Sequence, residues 1–219
     1  MKTVLCYGDS LTWGLNAQTG RRHAHEDQWP TVLGQRLGAE ARVINASLGG
    51  RTTMFDDYAA ASDRNGVRIL PTVLGMHDPL DLTILMLGTN DLKTFINGTA
   101  VGAAQGIRRL VEIVRTFPYE GGTTAPSVLI VAPPTVEALG PTPGFPLLSP
   151  RTGEGTSLAS AYAQVAKSTS SAFFDTSSVA SAKGSVDGVH LDAANTRAIG
   201  EALAPVVASI LGISLARAA

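Results

Sequence analysis

Ser10 lies near the start of this chain and Asp187 and His190 near its end, and these three residue types together can carry out nucleophilic acyl chemistry. The apolar run Thr3-Val4-Leu5-Cys6-Tyr7 stops abruptly at Gly8-Asp9-Ser10-Leu11. A buried strand feeding a sharp turn has this pattern, and the turn would lift the Ser10 hydroxyl over the edge of a sheet. Taken alone, Gly-Asp-Ser is ordinary turn chemistry. Ser10 becomes a candidate nucleophile because Asp187-Gly188-Val189-His190 supplies a well-spaced acid and base. A serine hydroxyl reacts only when a neighbouring base takes its proton, and a carboxylate orients that base. The three roles are therefore recognised by geometry rather than by sequence position.

Attack on a carbonyl creates an oxyanion, which preorganised N–H groups must meet. Three donors are at hand: the Ser10 backbone, the Gly50 backbone in Ser47-Leu48-Gly49-Gly50-Arg51-Thr52-Thr53, and the Asn90 side chain in Gly88-Thr89-Asn90-Asp91. Each has a plainer alternative. Gly49-Gly50 and Asp187-Gly188 also read as turns, and Asn90 could close a loop. Trp13, three residues past Ser10, is expected to line the substrate pocket, although tryptophan is equally a core residue.

The elements that must position these groups follow from periodicity. Apolar, β-rich runs at Thr3–Tyr7, Arg42–Ala46, Leu82–Leu87, Val128–Ala132 and Ala172–Phe174 alternate with helical patterns. That alternation predicts one parallel, doubly wound α/β sheet, with ligand chemistry at the carboxyl ends of its strands. Helices are expected from Trp29 to Leu37, from Ala100 to Phe117, from Leu158 to Ser168, and from the N-cap Asp192 toward Gly212, where Pro205 should kink or break the last. Asn65 to His77 also has a helical pattern, interrupted by Pro71. Three stretches, Gly14–Gln28, Gly50–Arg64 and Pro133–Thr156, suggest no element, and long irregular loops tend to be functional or interface-forming.

Composition narrows the possibilities. The chain has 219 residues, enough for one full-sized domain, which is read as spanning 1–219. Seventeen Lys plus Arg against eighteen Asp plus Glu leave a net charge of -1 without a basic cluster, which points away from nucleic acid and anionic membranes and toward small neutral partners. The single cysteine, Cys6, sits within the first apolar run and reads as core. With no disulfide possible within the chain, no signal peptide visible and no membrane-length apolar stretch, a cytoplasmic location is expected. The run His23-Ala24-His25-Glu26-Asp27 contains potential metal ligands but reads as a solvated loop, so no metal site is assigned.

The blocks Gly8-Asp9-Ser10-Leu11, Gly50 before Arg51-Thr52-Thr53, Gly88-Thr89-Asn90-Asp91 and Asp187-Gly188-Val189-His190 resemble, in order and over nearly the whole chain, those of the SGNH or GDSL hydrolases. Gly-Asp-Ser-Leu-Thr-Trp-Gly from Gly8 to Gly14, with Leu-Gly-Thr-Asn-Asp from Leu87 to Asp91, is similar to the bacterial arylesterase and acyltransferase branch. The resemblance implies a flavodoxin-like three-layer α/β/α sandwich with a five-stranded parallel sheet. It also implies Ser10 as nucleophile, His190 as base, Asp187 as its orienting acid, and Ser10, Gly50 and Asn90 as the oxyanion hole. Of the adjacent glycines, Gly50 is chosen over Gly49 because it directly precedes Arg51. Ester hydrolysis without a cofactor and acyl transfer to alcohols are the implied activities, with carbohydrate deacetylation an alternative and a flavin- or phosphate-binding module on the same sheet edge a more distant one. Apolar Leu139, Phe145, Leu147 and Leu148 within the irregular Pro133–Thr156 stretch, together with the association of members of this branch, lead to the expectation of a homo-oligomer.

Overall fold

A computed structural model describes residues 1–136 and 154–215. The stretch read as an oligomer interface, including Leu139, Phe145, Leu147 and Leu148, lies largely outside the described residues. Five strands, β1 (Lys2–Gly8), β2 (Ala41–Asn45), β3 (Leu82–Met86), β4 (Ser127–Ala132) and β5 (Ala172–Asp175), form one parallel sheet in the order β2-β1-β3-β4-β5. This is the flavodoxin-like order that the family resemblance implied. β1 lies between β2 and β3, with Cys6 opposite Asn45 and Gly8 opposite Met86, so these strands deliver their following loops to one edge.

Both faces of the sheet are covered, which explains why the strands read as unbroken apolar runs rather than alternating ones. Val4, Cys6, Ile84 and Val131 point to one face, where α2 (Trp29–Leu37) and α6 (Ala193–Leu211) supply Trp29, Leu33, Ile199, Leu203 and Val207. On the other face Leu5, Tyr7, Leu85 and Ile130 meet Leu70 and Leu74 of α3 (Gly66–His77), Ile107 and Leu110 of α4 (Ala100–Thr116), and Tyr162 of α5 (Glu154–Ser168). Cys6 is fully buried, as expected of a core residue. Asp192 caps α6 by accepting from the Asn195 amide at 2.8 Å, and Gly212, at φ 64, ends it.

Two expectations are corrected. Pro205 neither ends nor splits α6, which runs through it. Pro205 and Glu201, whose carbonyl loses its helical donor to the proline, are both exposed. Gly14–Gln28, expected to hold no element, contains a short antiparallel ribbon of Leu15–Asn16 with Arg21–Arg22 and a 3-10 turn at His25–Asp27. Pairs of two-residue strands are too short to leave a periodic signal.

Gly8 ends β1 where the chain turns back against itself. A Cβ there would fall 1.9 Å from Thr12 Oγ1, 2.5 Å from Thr12 Cβ and 3.0 Å from the Met86 carbonyl oxygen. Gly8→Ala is therefore expected to cost about 1–3 kcal/mol in urea unfolding, the range for overpacking a tight interior. The loss should shrink in a Thr12→Gly background, which removes both side-chain obstacles. Equal losses in the two backgrounds would exclude Thr12 as the cause.

Candidate active site

The Ser10 turn is built by its neighbours. Asp9 caps the single-turn helix α1 (Ser10–Trp13) by accepting from the Leu11 amide at 3.0 Å, and the Gly14 amide closes the turn onto the Ser10 carbonyl at 2.9 Å. From the end of β2, Asn45 Nδ2 donates to the Thr12 carbonyl at 3.1 Å. The turn thus holds Ser10 at the carboxyl edge of the sheet.

His190 comes from the loop ahead of α6. Its Nε2 lies 2.8 Å from Ser10 Oγ, and its Nδ1 lies 2.6 Å from Asp187 Oδ2. The second oxygen, Asp187 Oδ1, accepts from the Val189 amide at 3.0 Å, the His190 amide at 2.9 Å and Ser185 Oγ at 3.0 Å. Burial alone would raise the Asp187 pKa, but hydrogen bonds from the His190 side chain and backbone outweigh it and hold the carboxyl well below its usual range. An anionic Asp187 accepts a hydrogen bond from Nδ1–H, leaving Nε2 of a neutral ring to accept from the Ser10 hydroxyl.

The neighbouring loops are tied down as firmly. The Arg51 amide closes a turn onto the Leu48 carbonyl at 3.1 Å, and Gly50 occupies its third position at φ 80 while Gly49 keeps a negative or extended φ. This is the type II pattern, which places glycine at that third position. A Cβ on Gly50 would also fall 2.5 Å from the Arg64 guanidinium. The turn thus gives the two glycines different conformations, and only Gly50 has a positive φ. Arg51 itself is buried and donates through Nη1 to the carbonyls of Gly8 at 2.9 Å and Ala46 at 2.6 Å, with its Cζ 4.1 Å from the centre of the Tyr7 ring. One cation thereby joins the ends of β1 and β2.

Asn90 Nδ2 donates to Asp9 Oδ2 and to the Arg51 carbonyl, each at 3.2 Å. Next to it, the Asp91 carboxylate accepts from the Thr53 amide at 3.0 Å and from the Thr53 hydroxyl. Burial pushes the Asp9 carboxyl up to about 6 and the Asp91 carboxyl up to about 7. The same burial lowers the Arg51 pKa.

Ser10, His190 and Asp187 thus form one hydrogen-bonded chain, and Asn90 reaches the Gly50 loop through the Arg51 carbonyl. Trp13 is half-buried, with the Arg22 guanidinium 4.6 Å from its ring centre. A cavity of about 290 Å³ beside His190 is lined by Asn16, Gln18, His23, Lys183, Ser185 and Leu191 among others, without Trp13. The His23–Asp27 run is exposed at His25 and Glu26 as expected of a solvated loop, but His23 is buried. Its Nε2 donates to the Leu191 carbonyl at 2.9 Å, which fixes the residue following His190. Among the described residues no group of three or more His, Cys, Asp and Glu is placed to hold a metal ion. No helix among them is long and apolar enough to cross a membrane.

Sequence reading did not assign roles to Asp9, Arg51, Thr53 and Asp91. Their only signal is position: Asp9 and Asp91 stand directly beside Ser10 and Asn90, and Arg51 and Thr53 follow Gly50.

A family model for GDSL-like lipases and acylhydrolases matches residues 6–198, and the chain belongs to this family, the SGNH hydrolases. The crystal structure of a carbohydrate acetylesterase family member from Sinorhizobium meliloti is 50% identical, with a TM-score of 0.94 over 97% of this chain and 100% of that one. The aryl esterase of M. smegmatis is 43% identical, with a TM-score of 0.89 over 96% of this chain and 100% of that one. A second carbohydrate acetylesterase from Sinorhizobium meliloti is 36% identical, with a TM-score of 0.89 and the same coverage. No curated protein matches the chain.

Asp9 and Asp91 make stability depend on pH. Their folded pKa values lie above the unfolded value of about 3.9. The folded state therefore holds these protons more tightly, so their contribution is complete below about pH 4 and is lost as pH rises toward about 7. Each can contribute a fall of up to about 1.4 kcal/mol per pH unit within that window. Urea unfolding from pH 4 to 7 should show a shallower fall for Asp91→Asn than for the wild type. Parallel curves would contradict the burial of an ionisable Asp91.

Proposed function

We propose that the protein is a serine esterase that cleaves small or aryl carboxylic esters through a Ser10 acyl-enzyme. The observation that carries this reading is the unbroken chain from Ser10 Oγ through His190 to Asp187, at 2.8 and 2.6 Å. His190 Nε2 takes the hydroxyl proton as Ser10 Oγ bonds to the ester carbonyl carbon, and Asp187 stabilises the imidazolium that results. The negative charge moves to the carbonyl oxygen, where the Ser10 and Gly50 amides and the Asn90 side chain are the assigned donors. Collapse of the tetrahedral intermediate breaks the bond to the alcohol oxygen, which receives its proton from His190. Water then attacks the acyl-enzyme by the same route, releasing the acid and restoring Ser10. An alcohol can take the place of water, giving a new ester, and similarity to the bacterial arylesterase and acyltransferase branch favours this transfer as a second outcome.

A second reading concerns the alcohol half of the substrate. His190 protonates the leaving alcohol, so that group sits on the His190 side of Ser10. The cavity that His190 lines, without Ser10, carries Asn16, Gln18, Lys183 and Ser185, whose polar side chains suit a polyhydroxylated alcohol. Two of the similar structures are named carbohydrate acetylesterases. Deacetylation of sugar esters is thus supported alongside aryl ester cleavage.

Kinetics on p-nitrophenyl acetate and on acetylated sugars test both readings together. Ser10→Ala is expected to lower kcat by more than about 10⁴, and Asp187→Asn by about 10³–10⁴, on every substrate that turns over. Sugar acetates exceeding aryl acetates in kcat/KM would select the deacetylase reading. Wild-type turnover in Ser10→Ala would remove the nucleophile assignment altogether.

A further inference from the structure

Asn90 carries two amide hydrogens, and in the free protein both have acceptors: Asp9 Oδ2 and the Arg51 carbonyl, each 3.2 Å from Nδ2. A donor to the oxyanion must give up one of them. The two acceptors differ in kind. The Arg51 carbonyl is neutral and belongs to the residue that follows the Gly49-Gly50 turn. The Asp9 carboxylate is 1% exposed, and its other oxygen is held by the Leu11 amide at 3.0 Å, so Oδ2 has a fixed place. Bonds to an ionised acceptor are also roughly twice as strong as those between neutral groups. An oxyanion therefore competes more readily with the Arg51 carbonyl than with Asp9.

We propose that Asp9 is a positioning residue for oxyanion stabilisation: it keeps one N–H of Asn90 and so aims the other, released from the Arg51 carbonyl, at the developing oxyanion. The inference rests on the esterase reading and on Asn90 as an oxyanion donor. Asp9 can serve both Leu11 and Asn90 only as a carboxylate, because a protonated carboxyl has lost one good acceptor oxygen. Arg51 and Lys93 favour that charge, while the neighbouring Asp91 opposes it. A single side chain thus links the cap of the nucleophile turn to the amide that meets the oxyanion. The same acid joins the first and third strand ends directly, where the sequence shows only a residue beside Ser10.

Asp9→Asn separates these two tasks. Asparagine caps a helix as well as aspartate does, so its oxygen can still accept from Leu11, while its NH₂ replaces the acceptor that Asn90 needs. Asp9→Ser is the second variant, since serine also caps but is too short to reach Asn90. The full chain is assayed on p-nitrophenyl acetate at pH 8, where wild-type Asp9 is ionised, with Asn90→Ala and the double variants alongside. For Asp9→Asn and Asp9→Ser, kcat should fall by about 10- to 100-fold with KM within about twofold, a smaller loss than the about 10²–10³ for removing a donor outright. Because Asp9 acts through Asn90, adding either Asp9 change to Asn90→Ala should cost no more than about threefold further. Losses that multiply, a change confined to KM, or Asp9 variants as fast as wild type beside a slow Asn90→Ala would overturn this proposal and leave the esterase reading standing. An Asn90→Ala enzyme as fast as wild type would instead remove the Asn90 assignment and this proposal with it.

Discussion

Polar groups at the carboxyl edge of the sheet are buried together, and most of them pair with one another or with nearby backbone. Asp9, Ser10, Arg51, Thr53, Asn90, Asp91, Asp187 and His190 are all 9% exposed or less. An unpaired polar group in such a place costs about 1–3 kcal/mol, and an unpaired charge costs more. Mutual satisfaction therefore fixes the relative placement of several loops at once. Arg51 joins the ends of β1 and β2, Asn90 joins the loop after β3 to both, and Asp91 holds Thr53. The sheet supplies the common edge and the polar network supplies the alignment upon it.

Charge is divided to suit separate tasks. Asp187 is held well below the usual carboxylate range by hydrogen bonds that outweigh its burial, so it remains an anion beside His190. Asp9 and Asp91 are pushed the other way by burial, to about 6 and about 7, even though both accept hydrogen bonds. Their burial reduces the stability of the folded state toward neutral pH, while the same carboxylates accept hydrogen bonds from Leu11, Asn90 and Thr53. A buried Arg51 near Asp9 offsets part of that cost.

Much of this architecture was legible in the sequence because it is written in local patterns. Five apolar runs matched the five strands within two residues at each end, and Pro30 with Gly38 and Asp192 with Gly212 marked helix termini. Ser10, Asp187 and His190 were found by residue type and by their places after strands, and the structure brings their side chains within hydrogen-bonding distance. What stayed hidden depends on distant partners. His23 looked solvated until the Leu191 carbonyl, far along the chain, accepted its N–H. Asp9, Arg51 and Asp91 drew no role of their own because their partners belong to other loops, which periodicity cannot connect. Pro205 violates a local rule, and the exposed face on which it lies explains why α6 tolerates it.

The central claim, that His190 activates Ser10 for covalent acyl chemistry, is tested most directly by active-site labelling. The protein is treated with a fluorophosphonate, which is attacked by an activated serine and remains as a stable adduct, and the digest is mapped by mass spectrometry. The account predicts one rapid adduct, on the peptide containing Ser10, formed far more slowly in His190→Ala. An adduct on a different serine, or labelling of Ser10→Ala at the wild-type rate, would contradict it.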